Sequence, residues 1–131
     1  MTSPEPIDAD LEISPAEVAA LLRKGPGSIV ILDCRTPPEW EIARIEGSVH
    51  VPLDDLPRVA PTFDPPEGAV VAVLCHHGRR SIQGALFLRE CGIPARSIAG
   101  GIEVWSRTID PKVPRYERRG LTVWKVGGSS T

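Results

Sequence analysis

The sequence predicts an α/β fold of three layers, with a central, mostly parallel sheet of about five strands and helices on both faces. Two observations carry this reading. Apolar runs alternate along the chain with stretches of helical periodicity. The runs are also apolar throughout rather than alternating in polarity, as strands covered on both faces are. At 131 residues the chain suits one domain, and 41% hydrophobic with 24% charged residues is ordinary globular composition.

Each element can be justified in order. Residues 1–10 read as an N-terminal tail. "ISPAEVAALLRKG" carries full helix punctuation: Ser14 as N-cap, Pro15 at the first helical position, Glu17 closing a capping box and Gly25 as the stop. Val18, Leu21 and Leu22 supply its apolar stripe. "SIVILD" is a buried strand ending at Asp33, and "TPPEWEI" repeats the helix-start pattern with Thr36, Pro37 and Glu39. "GSVHVP" is a short strand in which His50 reads as a core or edge residue. "LDDLPRV" is one or two helical turns, followed by a Pro-rich loop. Residues 69–75 form the most apolar strand, expected at the centre of the sheet. Ser81 to Cys91 form a helix with Ile82, Ala85, Leu86 and Arg89 at helical spacing and Gly92 as its stop. Gly84 costs that helix about 1 kcal/mol relative to Ala, which marks it as a point of close packing. "ARSIAG" and "GIEVWSR" give a last short strand and a last helix. The tail fits less well: "LTVWKV" reads as an added edge strand and "GGSST" as disordered.

Bulk properties exclude several function classes. A net charge of −2 and a pI near 5.9 argue against a nucleic-acid surface. The longest apolar run, Ala69 to Cys75, falls far short of the roughly 20 residues of a membrane span. The start, MTSPEPIDAD, lacks the basic and apolar segments of a signal peptide, and three cysteines do not make a disulfide framework. Together these lead us to expect a cytoplasmic, reduced protein.

"VVAVLCHHGRRSIQGALFL" draws the eye to chemistry. Ligand sites of open α/β sheets lie beyond the carboxyl ends of the strands, and Cys75 sits at such an end with a helix starting just after Arg80. A loop wound between them points backbone N–H groups inward, and the helix N-terminus adds partial positive charge. An unperturbed thiol is only a few per cent ionised at neutral pH, so such an environment is what a nucleophilic sulfur requires. Gly78 supplies the positive φ that the turn needs. Cys34 and Cys91 read as small buried hydrophobes. For His76 and His77 two readings stay open, a part in the site or exposed loop residues without chemistry. A metal site is not expected, because adjacent residues rarely converge on one ion and no CxxC or HxxxH motif occurs.

"CHHGRRS" resembles the active-site loop of rhodanese-like sulfurtransferases: Cys, two variable residues, Gly, one variable residue, Arg, then Ser or Thr. "LDCRTPPEW", "IEGSVHVP" and "IAGGIEVW" resemble the family's other landmarks, in the same order, and the similarity spans about residues 11–116. Residues 117–131 are then a C-terminal extension, positioned to cover either a sheet edge or the site. Ala43-Arg44 stands where the family often has Gly-His.

The resemblance implies that Cys75 is the catalytic residue, accepting a sulfane sulfur as a persulfide. His76, His77, Gly78, Arg79, Arg80 and Ser81 would form the loop around that sulfur, and Asp33, Arg35 and Glu39 would brace the site. Arg80 is expected to brace through an ion pair, and Arg79 to face solvent and attract an anionic donor. Implied partners are a small-molecule sulfur donor, thiosulfate or a persulfide, and a thiol or cyanide acceptor, with a protein thiol as another acceptor. No cofactor, metal, nucleic acid or membrane is implied. The alternative is a non-turnover sulfur carrier or protein-interaction module. Related phosphatases hold one more residue between Cys and Arg than the four found here, so phosphatase activity is disfavoured, and arsenate reduction, which some relatives perform, is a similarly disfavoured alternative.

Overall fold

A computed structural model of the protein describes residues 10–126. Its elements are β1 (Glu12–Ile13), α1 (Pro15–Lys24), β2 (Ile29–Asp33), α2 (Pro37–Ile42), β3 (Val49–His50), α3 (Leu56–Val59), β4 (Val70–Leu74), α4 (Arg80–Glu90), β5 (Ala95–Ile98), α5 (Gly101–Thr108), β6 (Tyr116–Arg119) and β7 (Thr122–Lys125). Single 3-10 turns at Leu53–Asp55 and Ala60–Thr62 flank α3, the second inside the expected loop. The five-stranded sheet has the order β1-β5-β4-β2-β3, every pair parallel, so β4 lies at its centre. That position follows from its sequence: Val71, Ala72, Val73 and Leu74 are all buried, as only a strand with neighbours and helices on every side can be.

The core divides into two layers. On one face, Ile31, Ala72 and Leu74 pack with Val18 of α1 and with Ile102 and Trp105 of α5. On the other, Leu32, Val71 and Val73 pack with Leu56 of α3 and with Ala85 and Leu88 of α4. Gly84 lets α4 press onto this second face, since a Cβ there would lie 3.2 Å from Val73 and 3.3 Å from Leu56. α1 is punctuated as its sequence predicts. The Glu17 N–H donates to Ser14 Oγ at 3.1 Å, and the Ser14 N–H donates to Glu17 Oε1 at 3.2 Å.

Four differences from the sequence reading stand out. "LTVWKV" does not join the sheet edge; β7 pairs antiparallel with β6 as a separate hairpin that packs on α2. The edge next to β5 is instead taken by β1, whose two residues are too few to give a periodic signal. In α4 the buried stripe is Ser81, Gly84, Ala85 and Leu88, while Leu86 faces out, because the close approach at Gly84 sets the helix phase. Leu22 likewise lies at the solvent edge of α1, with Val18 and Ala19 carrying the burial. The disorder expected at "GGSST" and nearly all of the expected N-terminal tail fall outside the described residues.

Candidate active site

The carboxyl end of β4 delivers Cys75 into a short loop that closes at the start of α4. Cys75 is 1% exposed, at the floor of this loop. The Gly78 N–H donates to Cys75 Sγ at 3.0 Å, which bends the loop around the sulfur. Gly78 adopts φ 91°, and a Cβ there would approach the Gly100 nitrogen to 3.0 Å, so no other residue suits the position. On the far side the Cys75 thiol donates to Ser81 Oγ at 3.2 Å, and Ser81 Oγ lies 2.7 Å from Ser97 Oγ. When the sulfur is anionic the same hydroxyl turns its proton toward it, with Ser97 taking up the remaining hydrogen bond. α4 begins at the same place, at Arg80, and no side chain caps it.

α5 holds the loop from behind. The Ile102 and Glu103 N–H groups donate to the carbonyls of Cys75 and His76 at 2.8 and 3.1 Å. The approach is close enough that a Cβ on Gly101 would collide with both carbonyl groups. Gly100 and Gly101 therefore let a helix N-terminus dock directly on the loop backbone.

Below the loop lies a buried ionic brace. Arg35 is wholly buried and chelates Asp33 through Nε (2.8 Å) and Nη2 (2.6 Å), and its other donors reach Ala43 O, Glu39 O and Tyr116 Oη. Glu39, also wholly buried, receives both terminal nitrogens of Arg80 at 2.7 Å and the Tyr116 hydroxyl at 2.6 Å. Burial alone would push the Glu39 carboxyl up, but the hydrogen bonds from Arg80 and Tyr116 outweigh it and hold it well below the usual carboxylate range. Arg80 is thus committed to Glu39, and Arg79 is exposed to solvent.

The two histidines separate. His77 is exposed, whereas His76 is buried, stacked on the Tyr116 ring at 4.0 Å, with Nε2–H donating to Tyr116 O at 3.0 Å. Burial, helped by repulsion from His77, lowers its pKa to about 4, so it is neutral at physiological pH. His76 is a packing residue that ties the loop to β6. His50 is half-buried in the edge strand, stacked on Trp40, with Nε2–H donating to Arg35 O. Cys34 is buried, as expected, but Cys91 is exposed at the end of α4.

Two participants escaped sequence reading. Tyr116 closes the brace from 77 residues away along the chain. It is the only tyrosine in the sequence, a weak signal. Ser97 interrupts the apolar strand "ARSI" and is fully buried, which is the signal that a polar partner awaits it. Among the described residues no cluster of three or more His, Cys, Asp or Glu side chains is placed to hold a metal ion. No described helix is long and apolar enough to cross a membrane.

Several known proteins are similar to this chain. Adenylyltransferase and sulfurtransferase MOCS3-1 of Zea mays is 34% identical over 93 residues, covering 66% of this chain and 20% of the relative. The chain spans about a fifth of the length of the curated relatives it matches. A rhodanese-related protein from Thermoplasma volcanium shares the fold, with a TM-score of 0.65, 24% identity, and coverage of 86% of this chain and 96% of that one. The human single-domain sulfurtransferase TSTD1 does so too, at TM-score 0.64 and 21% identity over 75% of this chain and 96% of its own. The family model of the rhodanese-like domain matches residues 14–108, and the chain belongs to that family.

Proposed function

We propose that the protein is a sulfurtransferase in which Cys75 carries a sulfane sulfur between a small donor and a nucleophilic acceptor. The observation that carries this reading is the Cys75 sulfur at the floor of the 75–80 loop, held by the Gly78 N–H at 3.0 Å and by Ser81. With thiosulfate as donor, Cys75 attacks the outer sulfur, the S–S bond of thiosulfate breaks and sulfite leaves. The product is a persulfide whose terminal sulfur is anionic, and the Gly78 N–H with the start of α4 favours that charge. A thiol, cyanide or protein-thiol acceptor then attacks the terminal sulfur, and Cys75 departs as thiolate. Sulfur enters and leaves on the protein, so the kinetics are double-displacement. His77, exposed at the loop, and Arg79 stand where an anionic donor would arrive. Asp33, Arg35, Glu39 and Arg80 hold the loop from below without touching the sulfur. The sulfurtransferases named among the relatives support the same reaction class. A reducing, cytoplasmic setting suits a chain whose three cysteines are all free.

A phosphatase reading fits less well, because both terminal nitrogens of Arg80 are engaged by Glu39 instead of facing the loop. The test is steady-state transfer from thiosulfate to cyanide. Parallel double-reciprocal lines, lost in Cys75→Ser, are expected. Hydrolysis of an aryl phosphate without thiocyanate formation would overturn the proposal.

A further inference from the structure

A second thiol stands beside Cys75. β2 and β4 pair Ile31 with Ala72, Leu32 with Val73 and Asp33 with Leu74, so the next pair in register is Cys34 with Cys75. Successive pairs face opposite layers. Ile31 and Ala72 belong to the α1/α5 side, while Leu32 and Val73 belong to the α4 side, as do Cys34 and Cys75. The backbone continues the ladder into this pair, the Cys34 N–H donating to Leu74 O at 2.9 Å. Neighbouring strands lie about 4.8 Å apart, inside the roughly 4.4–6.8 Å Cα spacing that a disulfide bridges. The pair sits one residue past the last residues of both strands. Both thiols are 1% exposed and belong to the same core layer.

We propose that Cys34 is the resolving thiol of this site: when a hydroperoxide oxidises Cys75, Cys34 closes a Cys34–Cys75 disulfide that arrests sulfur transfer and protects Cys75 from irreversible oxidation. This rests on the reading of Cys75 as the reactive thiol. In the first step the Cys75 thiolate attacks the distal oxygen of ROOH, the O–O bond breaks, and RO⁻ leaves with Cys75 as a sulfenic acid. In the second, Cys34 sulfur attacks Cys75 sulfur and the S–O bond breaks. The hydroxide released takes the Cys34 proton and departs as water. Two external thiols, or one dithiol, reduce the disulfide and restore both cysteines.

The same surroundings keep Cys34 out of the ordinary reaction. Burial pushes its thiol up, and the neighbouring charges of Cys75 and Asp33 push it further, so it stays protonated while Cys75 is the nucleophile.

The experiment treats the full chain with hydrogen peroxide and follows it by intact mass, peptide mapping and sulfur transfer before and after a dithiol. We expect a mass loss of two hydrogens, one peptide pair joining Cys34 to Cys75, and activity that disappears and returns. In Cys34→Ser, and in Cys34→Ala, which adds no polar group to the core, Cys75 should accumulate as sulfinic or sulfonic acid and the dithiol should restore nothing. Cys75 sulfinic acid beside a free Cys34 in the unaltered chain would overturn the inference while leaving Cys75 reactive, and so would a link to Cys91. A Cys75 untouched by peroxide would overturn the inference and the sulfur-carrier reading with it.

Discussion

The chain turns from strand to helix in similar ways at β2–α2 and at β4–α4, and only the second turn makes a cradle. Both strands end at the same edge of the sheet, side by side. At the first junction Pro37 and Pro38 occupy the opening helical positions and bring no N–H groups, while Glu39 accepts the Thr36 N–H at 3.1 Å. Arg35 commits its donors to Asp33, Ala43 O, Glu39 O and Tyr116 Oη. No inward donor is left for a ligand, and the junction is a brace. At the second junction Gly78, Arg79, Arg80 and Ser81 all carry N–H groups, no side chain caps α4, and Gly78 already points its donor at sulfur. A strand end becomes reactive, on this comparison, when the turn beyond it keeps its amides free and a neighbouring junction supplies the rigidity.

The largest effect should come from breaking the brace. Glu39→Gln leaves Arg80 without its carboxylate, and removing one partner of a buried pair costs about 3 kcal/mol. Urea unfolding should show that loss, and an unchanged midpoint would mean that the junction is not a brace. Next, Gly78→Ala forces a side chain into φ 91° beside Gly100, and transfer should fall on the order of a hundredfold, as when one oriented donor is lost from a reaction site. Turnover at the original rate would show that the donor at 3.0 Å has no part in transfer.

A smaller effect concerns His76. Its folded-state pKa, about 4, lies below the ordinary value of 6.5, so the unfolded chain binds the extra proton first. Stability should therefore fall as pH drops from 6.5 toward 4, by on the order of 2 kcal/mol. The depressed carboxyl of Glu39 acts in the same direction below its ordinary value of 4.5. His76→Phe keeps the stacking on Tyr116 and should flatten the curve between pH 6.5 and 5. A slope unchanged in that variant would assign the effect elsewhere. Smallest of all, Arg79→Ala should raise the KM for thiosulfate a few-fold at constant kcat, a loss of about 1 kcal/mol or less for an exposed charge. An unaltered KM would remove Arg79 from donor capture.

Much of this contrast was legible in the sequence because it is local. Thr36-Pro37-Pro38-Glu39 and Cys75 to Ser81 each state their own turn chemistry within a few residues, and the apolar run 70–74 declares a central strand. What was illegible depends on distance along the chain. Tyr116 reaches Glu39 across 77 residues and Ser97 reaches Ser81 across 16, and neither pairing leaves a periodic trace. The hairpin of β6 and β7 has strand propensity, but propensity does not name a partner, and the two-residue β1 had already taken the open edge of β5. Leu86 faces solvent for a related reason: hydropathy alone favours its burial, but the close packing of Gly84 on Val73 sets the helix phase so that Leu88 is buried instead.

The central claim is that the β4–α4 cradle, and not thiol exposure, selects the sulfur carrier. Peptide mapping after brief treatment with thiosulfate tests it most directly, because the buried Cys75 and the exposed Cys91 compete in one molecule. The account predicts one added sulfur atom on Cys75 and none on Cys91 or Cys34. Sulfur found on Cys91, or spread according to exposure, would contradict it.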